Sequence, residues 1–118
     1  MHKLVILIEP SSEWENHEDQ WPDFLHLVEE MPGLRREATS RIEQFLFGEK
    51  IYSQMHELFF NALADIELAM ASPQGREAGR LLQQMTGGHL TLFFAEHTED
   101  TLDNIRKFRQ QGSRSEQK

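Results

Sequence analysis

The order strand, helix, strand, strand, helix, strand can be read along these 118 residues, and it predicts an α+β fold. Two continuous apolar runs, 3–8 and 89–95, supply the first and last strands. Two segments with apolar residues three and four apart supply helices, and with right-handed crossovers the result is a four-stranded antiparallel sheet carrying both helices on one face, the ferredoxin-like plan.

Residues 3–8, KLVILI, are stopped by Glu9-Pro10 and are dominated by Leu, Val and Ile, the composition of a central strand. From Ser12 to Met31, Trp14, Trp21, Phe24, Leu25, Val28 and Met31 recur at helical spacing, with Asp19, Asp23, His26, Glu29 and Glu30 on the opposite side. Pro22 either kinks this helix or sets its true start near Trp21, and Pro32-Gly33 ends it. Residues 34–45 alternate loosely and read as a mostly polar strand. Phe45-Leu46-Phe47 before Gly48-Glu49-Lys50 suggests a hairpin turn whose apolar residues meet a partner or cover a pocket. Residues 51–60, IYSQMHELFF, form a third strand with Ser53, Met55, Glu57 and Phe59 on one face and Tyr52, Gln54, His56, Leu58 and Phe60 on the other.

Asn61 is the expected N-cap of a helix to about Ala71, buried through Leu63, Ile66, Ala69 and Met70. Ser72-Pro73 starts a second, short helix with Ser as N-cap and Pro at the first helical position, and Gly87-Gly88 stops it. The closing strand, His89 to Ala95, has almost no polar side chain on either face. One face can be covered by the chain's own helices; a second copy is expected to cover the other. Residues 1–97 therefore read as the domain and 98–118 as a polar extension, a short helix through Leu102, Ile105 and Phe108 followed by a frayed tail.

The length suits one core. The absence of cysteine excludes disulfides and thiol chemistry and fits a reducing cytoplasm, the expected location. A net charge of −8, from 20 acidic against 12 basic residues, disfavours nucleic acid and anionic membranes as partners. No apolar run approaches a membrane span, and the opening apolar stretch is too short for a secretory signal. The histidines are scattered without ligand spacing, so no metal is expected, and no cofactor fingerprint is present. Glu57, flanked by Met55 and Phe59, is a candidate proton acceptor if apolar surroundings raise its pKa; the alternative is an ion pair with Arg36 or Arg41 on the neighbouring strand. His56 points the other way, toward the helices.

Four blocks, Met31-Pro32-Gly33-Leu34-Arg35-Arg36, His56-Glu57-Leu58-Phe59-Phe60, Ala71-Ser72-Pro73-Gln74-Gly75-Arg76 and Thr86-Gly87-Gly88 leading to Phe93-Phe94-Ala95-Glu96, resemble the EthD family of dimeric α+β barrels. The resemblance implies a homodimer through sheet-to-sheet contact and a cleft between sheet and helices for a small apolar organic molecule. The family is associated with ethyl tert-butyl ether breakdown in an undefined chemical role, which suggests an accessory to a catabolic pathway. Some relatives dehydrate or decarboxylate aromatic polyketides, and similar barrels include cofactor-free monooxygenases. A lyase, isomerase or monooxygenase with Glu57 as acid or base and Arg36 steadying an anion is the alternative, with Trp21, Phe24, Met55, His56 and Phe59 around the ligand. Many family members carry a cleft histidine where this chain has Phe24, while His26 lies about 200° round the helix.

Overall fold

A computed structural model describes residues 1–103. The elements are β1 (His2–Ile8), α1 (Ser12–His17), a 3₁₀ turn (Glu18–Gln20), α2 (Trp21–Glu29), β2 (Arg36–Arg41), β3 (Gln54–Phe60), α3 (Leu63–Ala71), α4 (Pro73–Thr86) and β4 (Leu90–Glu96). All pairings are antiparallel and the strand order is β2-β3-β1-β4, so the ferredoxin-like α+β fold is what the chain adopts.

The apolar run of β1 occupies the centre of the sheet, bonded to β3 on one side and β4 on the other. Its alternation divides the molecule. Leu4, Ile6 and Ile8 join Leu58 and Phe60 of β3 against Phe24, Val28, Ile66, Ala69, Leu82 and Met85 of the helices. Burying side chains of this size stabilises the fold by about 1.5–3 kcal/mol each. Lys3, Val5 and Leu7 lie on the other face, beside Met55, Glu57 and Phe59 of β3 and Thr91, Phe93 and Ala95 of β4.

The amphipathic stretch from Ser12 is two helices, not one. Ser11 caps α1 by accepting from the Trp14 N–H at 3.1 Å, and Pro22 stands in the first turn of α2, where its missing N–H interrupts nothing. The strand expected over 34–45 is confined to Arg36–Arg41, and the third strand begins at Gln54, not Ile51. Between them runs a long loop closed by the Ile42 N–H to Ser53 carbonyl bond, so no tight hairpin turn forms at Gly48. Leu46 and Phe47 are almost fully exposed and cover no pocket among the described residues.

Helix α3 starts one residue later than expected. Ala62 is its N-cap and no side-chain capping bond forms there, while Leu63 and Met70 stay partly exposed and Ile66 and Ala69 are buried. Ser72 caps α4 as expected, accepting from the Gly75 N–H at 3.0 Å, with Pro73 in the first turn. Helix α4, expected to be short, is instead the longest of those described, at 14 residues. Gly87 closes α4 in the left-handed conformation, φ 61°, donating its N–H to the Gln83 carbonyl. Gly75 is needed for a different reason: a Cβ there would lie 2.0 Å from the Ala69 carbonyl oxygen, so only glycine lets α3 and α4 meet at this angle. The polar extension lies mostly outside the described residues, and the helix expected through Ile105 and Phe108 falls there. Among the described residues no helix is long and apolar enough to cross a membrane.

Candidate functional site

The space between sheet and helices holds a cavity of about 60 Å³. Leu4 and Ile6 of β1, Leu58 of β3 and Leu92 of β4 form its floor. Phe24 and Val28 of α2, with Met31 just beyond, close one side, and Met70 of α3 with Gly75, Ala78, Gly79 and Leu82 of α4 close the other. Every lining side chain is apolar. A second hollow of about 180 Å³ shares Leu4, Met70 and Leu92 with the first and adds Phe93 and Phe94. The two hollows lie on either side of Leu4, Met70 and Leu92, the second at the exposed edge of β4.

Beside this cavity, under α2, lies a buried polar cluster. His56 is fully buried, with Nδ1 2.7 Å from the Thr39 hydroxyl and Nε2 3.1 Å from the Glu37 carboxylate. Trp21 meets the imidazole edge-on at 5.1 Å, and Phe24 at 6.2 Å. Burial pushes the imidazole pKa down from 6.5 to about 4, against smaller opposing effects of the Glu57 charge and the Ala38 backbone. His56 is therefore neutral at pH 7, and its contact with Glu37 is a hydrogen bond rather than an ion pair. An Nε2–H donating to Glu37 and an Nδ1 accepting from the Thr39 hydroxyl satisfies all three groups. Burial, followed by the charge of Glu29, raises the Glu37 carboxyl above its usual range.

The opposite sheet face carries the charged candidates. Glu57 is paired at 2.5 Å with Lys3 of β1, not with Arg36 or Arg41 as the sequence suggested. The register explains the choice: Arg36 stands opposite Phe59, and Arg41 points to the other face with Gln54. The Arg36 guanidinium lies 4.1 Å from the Phe59 ring centre and donates to Glu99 at 2.6 Å. Glu99 also meets His97 Nε2 at 2.6 Å, and these bonds from His97 and Arg36 hold its carboxyl below the usual range. His97 in turn stands edge-on to Phe59 at 4.8 Å. Residues 97–99 thus cross one end of the open face from β4 to β2. At the other end Tyr52 reaches Thr91 at 3.3 Å.

The expected site residues consequently divide. Trp21, Phe24 and His56 lie on the helix side, and only Phe24 lines the cavity. Arg36, Met55, Glu57 and Phe59 share the open face. The expectation that Glu57 and Phe24 border one cleft is corrected by the strand alternation, which places them on opposite sides of the sheet. His26 is exposed, 3.9 Å from Glu30, and takes no part in either group. Sequence reading missed Lys3, Glu37, Thr39 and Glu99. The alternation of 36–41 was the one available signal for Glu37 and Thr39, since it puts both opposite Arg36. Among the described residues no group of His, Asp and Glu has the geometry of a metal site.

Fold and cleft together define a ferredoxin-like α+β domain with an apolar space between its sheet and its helices. The chain is similar to an EthD family protein from Bacillus halodurans C-125, with a TM-score of 0.74 and 25% identity over 83% of this chain and 99% of that one. The resemblance to the EthD family read from the four sequence blocks is borne out by this likeness. A dimeric ferredoxin-like protein of unknown function from Jannaschia sp. CCS1 matches with a TM-score of 0.62 and 18% identity, over 81% and 97% of the two chains. SnoaB, a cofactor-independent oxygenase from Streptomyces nogalater, matches with a TM-score of 0.57 and 14% identity, over 86% and 94%. No family model and no curated protein sequence matches the chain.

Proposed function

We propose that this protein is a homodimeric binder of a small, uncharged, apolar organic molecule, held between sheet and helices, in an accessory rather than catalytic role. The observation that carries the reading is the wholly apolar cavity of about 60 Å³ between sheet and helices. An empty cavity forfeits packing against its lining, and a dry apolar cavity binds apolar atoms and small hydrocarbons readily. Glu57 contributes no acid or base to this space, because it lies across the sheet and is held by Lys3. His56 is neutral and stands beside Phe24, but it is enclosed by Trp21, Thr39 and Glu37 and does not line the cavity.

The homodimer forms through sheet-to-sheet contact. Leu92, Phe93 and Phe94 are 47, 44 and 45% exposed in succession, and Phe93 stands beside Val5 on the open face. Phe93, the one of the three on the open face, marks a surface that a second sheet covers, whereas Leu92 and Phe94 alternate to the helix side. The likeness to a ferredoxin-like protein described as dimeric supports a dimer here. Crystals pressurised with xenon test the binding reading: a xenon atom among Leu4, Phe24, Met31 and Leu82 is expected. A cavity still empty at pressures that fill other sites would refute it.

A further inference from the structure

A second sheet laid on the open face covers Phe93 but not its two neighbours. Leu92 and Phe94 alternate to the helix side of β4, where they stay nearly half exposed and border the hollow of about 180 Å³ with Leu4 and Met70. Since β4 is an edge strand, no further strand among the described residues lies beyond them. Whatever covers this hollow must reach round the β4 edge.

The other bare apolar group is the loop 42–53. Leu46 and Phe47 are 91 and 98% exposed, the most exposed large apolar side chains among the described residues, and Phe45 and Ile51 are exposed beside them. Single apolar residues at a surface are ordinary, but four in one loop form a patch that marks a contact. The root of the loop is held while its tip is bare. The Ile42 N–H donates to the Ser53 carbonyl at 3.0 Å, Lys50 meets Glu9 at 2.9 Å, and the Tyr52 hydroxyl lies 3.3 Å from that of Thr91. Thr91 belongs to the open face, so the loop is rooted on the side from which a second sheet approaches. Glu43 and Glu49 flank the tip and the net charge is −8, which makes an anionic membrane a poor partner for it.

We propose that the loop 42–53 is an arm that reaches round the β4 edge of a second copy and seats Leu46 and Phe47 in the hollow between its Leu92, Phe94 and Met70. A two-fold axis running along the strands lays the β2 edge of one copy over the β4 edge of the other and repeats the contact in reverse. From Ile42 to Phe47 the chain can span up to about 17 Å, several strand spacings, which is enough to turn an edge. Leu4, Met70 and Leu92 also line the inner cavity, so the arm of each copy backs the wall of the other's binding site.

The inference rests on the homodimer proposed above and names a second contact in it. Sedimentation equilibrium compares the wild type with the double variant Leu46→Ser, Phe47→Ser, whose replaced side chains are nearly bare and whose fold is checked by far-UV circular dichroism. The dimer dissociation constant is expected to rise at least about a hundredfold, the value for leaving two side chains of this size uncovered. The seat is tested by disulfide trapping, which the absence of natural cysteine makes clean. Phe47→Cys protein mixed with mass-tagged Phe94→Cys protein is expected to give a mixed disulfide under mild oxidation. Mixing it with Glu29→Cys protein, whose exposed thiol stands near the β2 edge beside Glu37, is expected to give little. An unchanged dissociation constant, or equal trapping in the two mixtures, would overturn the arm while leaving the dimer intact. A wild type that sediments as a monomer at every concentration would overturn both.

Discussion

Replacing His56 by glutamine removes the one fully buried titrating group under α2 while keeping a donor for Glu37 and an acceptor for Thr39. In the folded protein the imidazole is held to about 4, whereas an unfolded chain leaves it near 6.5. As pH falls through this window the unfolded state binds a proton that the folded state refuses, so stability falls. The contribution is fully favourable above 6.5 and fully lost below 4. At about 1.4 kcal/mol for each tenfold change in proton concentration, the window is worth about 3 kcal/mol at most. Glu37 acts in the opposite sense: its raised carboxyl pKa makes the folded state the better proton acceptor, offsetting part of the loss. Urea denaturation followed by far-UV circular dichroism, at fixed protein concentration from pH 7 to pH 4, measures the difference. The wild type is expected to lose about 1–3 kcal/mol more than His56→Gln across the range. Equal losses in the two proteins would refute the neutral, buried imidazole.

Two further changes probe the open sheet face. Phe93→Asp places a charge where a second sheet is expected to pack, and light scattering should report a folded monomer; a dimer that survives contradicts the sheet-to-sheet assembly. Lys3→Met leaves Glu57 with no cation in a site only 14% exposed, at an expected cost of about 1–3 kcal/mol in thermal or urea unfolding, while Lys3→Met with Glu57→Leu recovers most of it. An undiminished single variant would show the ion pair to be energetically idle.

The parts of the fold that rest on local chemistry were legible before any coordinates. The β1 run and the Ser72-Pro73 start each carry their signal within a few residues, and the alternation of β3 correctly set His56 against Glu57. What escaped was set by distant partners. Lys3 and Glu57 are 54 residues apart, and only the register of β1 on β3 makes them neighbours. Arg36 and Glu99 are 63 apart and meet because the chain after β4 folds back over the sheet. The break between α1 and α2 is a local event, but Pro22 is compatible with either a kink or a start, and only the packing of Trp14 and Trp21, edge-on at 5.7 Å, selects the start. The cavity was invisible for another reason. Its residues read as ordinary core, and the volume they fail to fill depends on how three helices and the sheet pack together, which no spacing rule encodes.

The five methionines allow the binding claim to be tested site by site. Met31 and Met70 line the cavity, whereas Met55 lies on the open face beyond the sheet. In protein carrying ¹³C-methyl methionine, titration with 1-hexanol is expected to move the Met31 and Met70 methyl resonances in a saturable way and leave Met55 in place. Saturable movement of Met55 with Met31 and Met70 unchanged would put the ligand on the open face and contradict a site between sheet and helices.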